Sequence, residues 1–249
     1  MILLSFIFSF LVHAHIDFSS GGAFRSYPGL GAEAYGEAGY NRKIWDKGGV
    51  FYGFMRPSLR LQTSGVINSI DTRFEFNPIS FLSVTSGYQY IRSDFEGFNF
   101  YNCDKVRCSG DMSKRYFELK GALAYKKVST VFIFERSMNI YSDSSGEGRP
   151  VAEFRFATLA NSGRDESYRS RLILTYKLSV TENIGVLSEY VRFERSQQRY
   201  NMDLLIYSKR KEKKTYTYGL GQFGSTHQDR GIIGVFIFTH SFLDSLKLF

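Results

Sequence analysis

Regular alternation of apolar and polar side chains over short segments is the feature that most constrains this sequence. It is clearest from Arg73 to Arg92, where Phe, Leu, Val and Tyr alternate with charged and small polar residues on both sides of Asn77-Pro78. Because successive side chains of a β-strand point to opposite faces, each segment has one apolar face and one polar face. The pattern predicts two β-strands joined by a short turn at Asn77-Pro78.

The same pattern recurs along most of the chain, which indicates an antiparallel meander without helices. Short connections, such as Lys126-Lys127, alternate with long polar ones near 93–114 and 142–167. A strand-like piece at 151–158 is assigned to the second long loop. The count is then about twelve strands, with ten or fourteen as the alternatives.

Composition supports strands and excludes a helical membrane span. The 249 residues include 24 Phe and 17 Tyr, but four Pro and one Trp, and this usage favours strands. No internal apolar run reaches the roughly 18 residues that a transmembrane helix needs, whereas a transmembrane strand needs about 9–11, half of them polar. A secreted soluble β-sandwich is the alternative, but the alternating segments are long for that fold.

The N-terminal segment and the two cysteines indicate export. Met1–Ala14 is almost entirely apolar and ends in small residues, so we expect a signal peptide at 1–14 and a mature domain at 15–249. A buried first strand or helix is the alternative. Cys103 and Cys108 are predicted to form a disulfide in an external loop. A metal site would need more ligands than this region offers, and no cofactor is predicted.

Together these features resemble a bacterial outer-membrane β-barrel protein, with an architectural similarity to small porin-like barrels. The likeness depends on Met1–Ala14, on the repeated strands from Leu30 to Phe242 and on a terminal aromatic residue. In that class the last strand usually ends in Phe, and Phe242 fits this pattern better than Phe249. The resemblance implies an all-β antiparallel transmembrane barrel in the outer membrane. Its partners would be membrane lipid, lipopolysaccharide and the barrel-assembly machinery.

In such a barrel, the polar face of each strand lines the lumen. The early strands carry both signs of charge, whereas Arg169, Arg171 and Lys177 form a basic stripe. Fixed positive charge raises the local concentration of anions, so the leading expectation is a small passive channel with a weak preference for anionic solutes. The predicted lumen-lining residues are Arg56, Arg60, Asp71, Arg73, Glu75, Lys120, Arg169, Arg171 and Lys177.

Two other functions stay open. Ion pairs between the early strands could fill the lumen and leave a closed barrel that serves as an anchor or interaction protein. An outer-membrane lipid-modifying hydrolase is less expected, because the adjacent His240 and Ser241 would point to opposite faces of one strand. The basic run Lys209–Lys214 is expected at a barrel rim near lipid phosphates, and no nucleic acid partner is predicted.

Overall fold

The computed structural model describes residues 14–242 apart from 29, 50, 95–100, 143–148 and 154. The predicted signal segment lies outside the described residues except for Ala14, at which the first strand begins. Within the described part of the chain, no helix is long and apolar enough to cross a membrane.

Twelve antiparallel strands form a closed barrel, which confirms the predicted fold class and strand number. Each strand pairs with its neighbours in sequence, except that β7 pairs with β10 and the first strand closes the barrel against the last. The strands of the barrel are β1 Ala14–Arg25, β2 Gly31–Asp46, β3 Tyr52–Thr63, β4 Ile67–Ile79, β5 Leu82–Ser93, β6 Gly110–Tyr125, β7 Val128–Tyr141, β10 Gly163–Lys177, β11 Glu182–Phe193, β12 Arg199–Lys211, β13 Lys214–Ser225 and β14 Gly231–Ser241.

The segment at 151–158, assigned from the sequence to a loop, contributes to a small hairpin of its own. Its strands are β8 Val151–Glu153 and β9 Thr158–Ala160, which form a two-stranded sheet apart from the barrel, and Val151 also forms an isolated parallel bridge with Arg107. The hairpin lies between β7 and β10 in sequence, in agreement with the predicted long connection.

The two ends of the barrel differ in the length of their connections. Tight turns at 80–81, 126–127 and 212–213 lie at the same end as Ala14 and Ser241, whereas the connections at 94–109 and 142–162 lie at the other end. Outer-membrane barrels have short periplasmic turns and longer extracellular loops. We therefore call the first the turn end and the second the loop end, and assign the loop end to the outside.

The predicted turn at Asn77-Pro78 is wrong, because β4 continues to Ile79 and the chain reverses at Ser80-Phe81. The register between β4 and β5 shifts between Phe76 and Ile79, as in a β-bulge. A proline lacks the N–H that a regular ladder needs, and a bulge is one of the places in a sheet that accept it.

The outer face of the barrel is apolar, as the sequence pattern requires. On the predicted hairpin, Phe74, Phe76, Tyr88 and Tyr90 are all exposed to the surroundings. Similar side chains on other strands form a belt around the barrel, including Phe132, Phe134, Leu172, Leu174, Tyr176 and Leu220. Such a continuous apolar surface would be unfavourable in water and matches the lipid-facing band of a membrane barrel.

The inner face is divided into a charged sector and an apolar sector. On β11–β14 the interior holds a cluster of buried apolar side chains, comprising Val191, Phe193, Tyr200, Leu204, Ile206, Phe223 and Ile233 with Ala157 of the hairpin. The more apolar face of β12 therefore points inward, although apolar faces were expected to meet lipid. The aromatic ring of Phe156 packs on this cluster and so replaces lipid as the apolar contact.

Candidate functional site in the barrel interior

A chain of ion pairs follows the inner wall from β1 to β4. Arg56 on β3 donates to Asp17 on β1 at 2.6 Å and to Glu37 on β2 at 2.7 Å. Glu37 also lies 3.6 Å from Arg73 on β4, which in turn pairs with Asp71 at 2.7 Å. The carboxylates of Asp17 and Asp71 are almost completely buried, so each depends on its arginine to offset the cost of desolvation.

Glycines on the inner face make room for this chain. A Cβ atom on Gly39 would lie 2.5 Å from Nε of Arg56, and a Cβ on Gly87 would lie within 2.4 Å of the phenol oxygen of Tyr116. Tyr116 uses that hydroxyl to donate to Asp71 at 2.9 Å. The absence of a side chain at these two positions lets a long polar side chain lie flat across the neighbouring strand.

A second network lies on β6, β7 and β10. Glu135 accepts from Lys114 at 2.8 Å and from Arg169 at 2.9 Å, and Arg169 also lies 3.1 Å from Glu118. Lys114 and Glu135 are both buried, so the group is a compact cluster of paired charges. On the adjoining strands, the guanidinium of Arg171 on β10 contacts the carboxylate of Glu189 on β11.

Five of the nine predicted lumen residues belong to these ion pairs: Arg56, Asp71, Arg73, Arg169 and Arg171. Of the other four, Glu75 accepts hydrogen bonds from Asn77 and Ser83. The guanidinium of Arg60 stacks on the ring of Tyr35 at 3.9 Å, although the register places Arg60 opposite Glu37 and Asp71. Lys120 and Lys177 share the inward phase of their strands and have no ion-pair partner among the described residues.

Sequence reasoning did not select the residues that neutralise the basic stripe. Glu118, Glu135 and Glu189 lie on strands next to Arg169 and Arg171, and Asp17 lies on the first strand. The signal was available for Glu118, which has the same alternation phase on β6 as the selected Lys120. For Glu135 and Glu189 the pairing of β7, β10 and β11 had to be known first.

All these ion pairs follow the wall of the barrel. Each pair between described residues of different barrel strands joins strands that are adjacent or separated by one strand, as with Asp17 and Arg56 or Glu118 and Arg169. Long side chains thus turn sideways along the wall, where the next strand is about 5 Å away, instead of reaching towards the barrel axis.

The hairpin β8–β9 is the element that enters the lumen from the loop end. Arg155 pairs with Glu153 at 2.7 Å, and Glu153 accepts from Tyr141 on β7 at 2.9 Å. The backbone carbonyls of Arg155 and Ala157 accept hydrogen bonds from Arg25 on β1 at 3.1 Å and Ser225 on β13 at 2.8 Å. The hairpin is therefore held by β7 on one side of the barrel and by β1 and β13 on the other, and it spans the outer mouth.

The ionisation of Glu153 is set by its neighbours in the hairpin and on β7. Burial raises the pKa of Glu153, but the positive charge of Arg155 and the hydrogen bonds from Arg155 and Tyr141 outweigh burial and lower the pKa below its ordinary value. The carboxyl group therefore stays ionised while the hairpin is docked.

The disulfide loop supports the hairpin from outside. Cys103 and Cys108 are bonded, which confirms the predicted disulfide, and the hydroxyl of Tyr101 donates to the carbonyl of Thr158 at 2.7 Å. The ring of Tyr101 stacks on His227 with centroids 5.0 Å apart. The loop at 101–108 thus lies over β9 and closes part of the outer mouth.

A cavity of about 360 Å³ lies beside the hairpin, on the lumen side of β1–β5 and β12–β14. Arg25, Glu33, Gln62 and Arg155 contribute polar groups to its wall, and Phe223 with its neighbours contributes apolar surface. The cavity shows that the hairpin does not fill the whole outer half of the lumen.

His227 and His240 lie apart from the interior networks. On the outer face of β14 the rings of His240 and Phe242 are tilted against each other, with centroids 4.1 Å apart. His227 lies beneath the disulfide loop, against Tyr101. The backbone N–H of Phe242 donates to the carbonyl of Phe18, so Phe242 extends the pairing of the last strand with the first.

Among the described residues, no three or more His, Cys, Asp or Glu side chains are grouped in a way that could hold a metal ion.

Solved structures of outer-membrane proteins are similar to this chain in fold, at low sequence identity. No protein-family model and no curated protein matches the chain. An outer membrane channel from Pseudomonas putida F1 is similar with a TM-score of 0.52 at 10% identity, over 93% of this chain and 96% of that chain. The KdgM porin gives 0.47 at 10% identity, over 91% and 99%, and the NanC porin gives 0.46 at 11%, over 91% and 100%. The fold is that of a bacterial outer-membrane β-barrel.

Proposed function

We propose that the protein is a narrow passive channel of the outer membrane, constricted at its outer mouth by the β8–β9 hairpin. The observation that carries this proposal is the direction of the interior ion pairs. They run along the wall between neighbouring strands, whereas the hairpin contacts β7 on one side of the lumen and β1 and β13 on the other. A barrel built to be closed by salt bridges would be expected to join opposite walls.

The size of the barrel is compatible with a narrow path. Twelve strands at a spacing near 4.8 Å and a tilt near 40° give a backbone diameter of about 24 Å. Side chains from both walls reduce the free width to about half of this value. Small hydrated solutes would then pass, and larger ones would be held back at the hairpin.

We further propose that the channel has a weak preference for anions, carried by different residues from those first expected. Arg169 and Arg171 have carboxylate partners, so their net effect on a passing ion is small. Lys120 and Lys177 face inward nearer to the turn end and have no carboxylate partner among the described residues. Glu75, towards the same end of β4, accepts only from the neutral Asn77 and Ser83 there, so two uncompensated positive charges stand against one negative charge. Uncompensated fixed charges dominate the potential of a narrow pore.

Conductance across a planar lipid bilayer tests the channel. The folded protein should give discrete steps above those of protein-free bilayers and of protein left unfolded in urea. A variant in which 151–160 is replaced by a Gly-Ser segment of equal length should give larger steps, because the constriction has been removed. If the unmodified protein does not conduct, the channel proposal is wrong, whether or not the variant conducts.

A closed barrel that serves as an anchor or interaction protein is the second candidate. It is favoured by the tight packing of the hairpin, since Ala157 is completely buried against the apolar sector and Thr158 is completely buried beneath Tyr101. In this case only the variant without the hairpin would conduct. The two candidates are thus separated by the behaviour of the unmodified protein.

A further inference from the structure

We propose that a groove on the outer wall of the barrel binds the phosphate-bearing headgroup of an outer-leaflet lipid of the lipid A type. The groove has a volume of about 700 Å³ and crosses β4, β5, β6, β7 and β10 on the outside of the barrel. It is separate from the lumen, so this inference does not depend on the channel.

The part of the groove on β6, β7 and β10 is basic. Arg136 on β7 and Arg164 on β10 each lie 3.0 Å from the single carboxylate of Glu166, and Arg115 on β6 has no ion-pair partner among the described residues. Three guanidinium groups therefore face one carboxylate, which leaves a net charge of +2. The side chains of Arg136 and Arg164 are 61% and 50% exposed, so their remaining donors are accessible.

The part of the groove on β4, β5 and β6 is more apolar and is shaped by a small residue. Ser86 on β5 lies between Phe74 on β4 and Phe117 on β6 in the cross-strand register. The short side chain leaves a recess between two exposed rings, and Met138 lines it from β7. A recess of this kind accepts an acyl chain, whereas the arginines beside it match phosphate oxygens.

The depth of the groove fits a headgroup. The register places Arg136 beside Phe117 and Tyr168, and the guanidinium of Arg136 lies 5.7 Å from the ring of Tyr168. From Phe117 to Tyr125 at the turn end, the outer face of β6 extends for about 20 Å along the barrel axis, close to the height of an apolar lipid band. The three arginines thus lie at the outer edge of the band, towards the loop end.

The chemistry at this position selects the occupant. Three arginines with one carboxylate between them would be costly at the level of the acyl chains, but at the boundary their excess positive charge meets lipid phosphates. A zwitterionic headgroup would bring its own cation next to three guanidinium groups. An acylated sugar with two phosphates offers dispersed negative charge for several arginines and chains for the recess, which is why we assign this class.

Native mass spectrometry of the folded, detergent-solubilised protein tests the site, with titrations of bisphosphorylated lipid A, its dephosphorylated form and phosphatidylcholine. We expect the bisphosphorylated lipid to bind at least about tenfold more tightly than either of the others, because two or more charge-assisted hydrogen bonds are involved. Arg115→Gln with Arg136→Gln should remove that difference. The matched control is Arg192→Gln with Arg199→Gln, which removes two arginines from the outer face of β11 and β12 at the same end.

Two results would overturn the proposal: equal binding of the phosphorylated and dephosphorylated lipids, or an equal loss in the control variant. Ser86→Leu provides a second test that changes no charge, since it fills the recess between Phe74 and Phe117. It should weaken lipid A binding severalfold while the heat-modified electrophoretic mobility of the folded barrel is unchanged. Full binding by this variant in its folded form would contradict the role of the recess.

Discussion

Glu135 on β7 lies 2.9 Å from Arg169 on β10, directly opposite it in the strand register. This pairing changes the meaning of the basic stripe on β10, because a cation held beside a buried carboxylate does not act on passing solutes as a free positive charge. Ion selectivity therefore becomes a test of which interior charges are compensated.

The first prediction concerns Lys120 and Lys177, which have no carboxylate partner in the described part of the chain. Lys120→Ser with Lys177→Ser should shift the reversal potential in a salt gradient towards cation preference, because two uncompensated positive charges are lost. Thermal stability should change little, since no ion pair between described residues is broken. An unchanged reversal potential with normal conductance would show that these lysines do not determine the ion selectivity.

The second prediction concerns the paired arginines. Arg169→Ser should leave Glu135 and Glu118 with an excess of negative charge, so it should also shift selectivity towards cations. Unlike the lysine changes, it should lower the thermal stability of the barrel, because removal of one partner from a buried pair leaves an uncompensated charge. Heat-modified electrophoretic mobility and bilayer recordings of the same preparation separate the two effects.

The third prediction concerns Gly39. Gly39→Ala should destabilise the barrel by about 1–3 kcal/mol, because the new methyl group would overlap the guanidinium of Arg56 and displace it from Asp17. Gly36→Ala, three residues earlier in β2, is the matched control, since its Cβ would lie 4.0 Å from the nearest atom, on Phe18. Unfolding in urea should distinguish them, and equal midpoints would contradict the proposed crowding.

The fourth prediction concerns pH. The pKa of Glu153 is lowered in the docked hairpin, so its contribution to docking is complete above the ordinary glutamate pKa of about 4.3 and is lost as the pH falls through the lowered value. Channel conductance should therefore rise reversibly in this acidic range. Glu153→Gln should raise conductance at neutral pH and abolish that part of the pH dependence, whereas persistence of the full acid response would implicate another group.

The fifth prediction tests whether the more apolar face of β12 points into the barrel, opposite to the expectation from the sequence. Single cysteines at Leu204 and Leu205, labelled with a small fluorophore, should differ in quenching by brominated lipid chains, because Leu204 is buried in the interior cluster and Leu205 is 66% exposed on the outside. The two native cysteines are joined in a disulfide and do not compete for the label. Stronger quenching at position 204 would reverse the assignment.

Much of the fold could be predicted because successive side chains of a barrel strand face two different environments, and their polarity alternates accordingly. The alternation of aromatic and polar side chains indicated the antiparallel strands, and the lengths of the connections distinguished the two ends. The prediction failed at Asn77-Pro78, where a turn-like pair lies in a bulge, and at β12, where both faces contact apolar surroundings. At Asn77-Pro78 the pairing with β5 continues past the pair to Ile79, whereas at β12 the local pattern was overridden by contacts with residues distant in sequence.

The sequence by itself determined which side chains of most strands are polar or apolar, since that depends only on the period of two in a strand. The tertiary structure decided how the interior charges are compensated, because the carboxylates beside Arg169 and Arg171 come from β6, β7 and β11. It also decided the outer mouth, where a short hairpin with little local signal is held by Arg25, Tyr141 and Ser225 from three separate strands. These contacts join residues that are far apart in the chain, so the local sequence pattern does not indicate them.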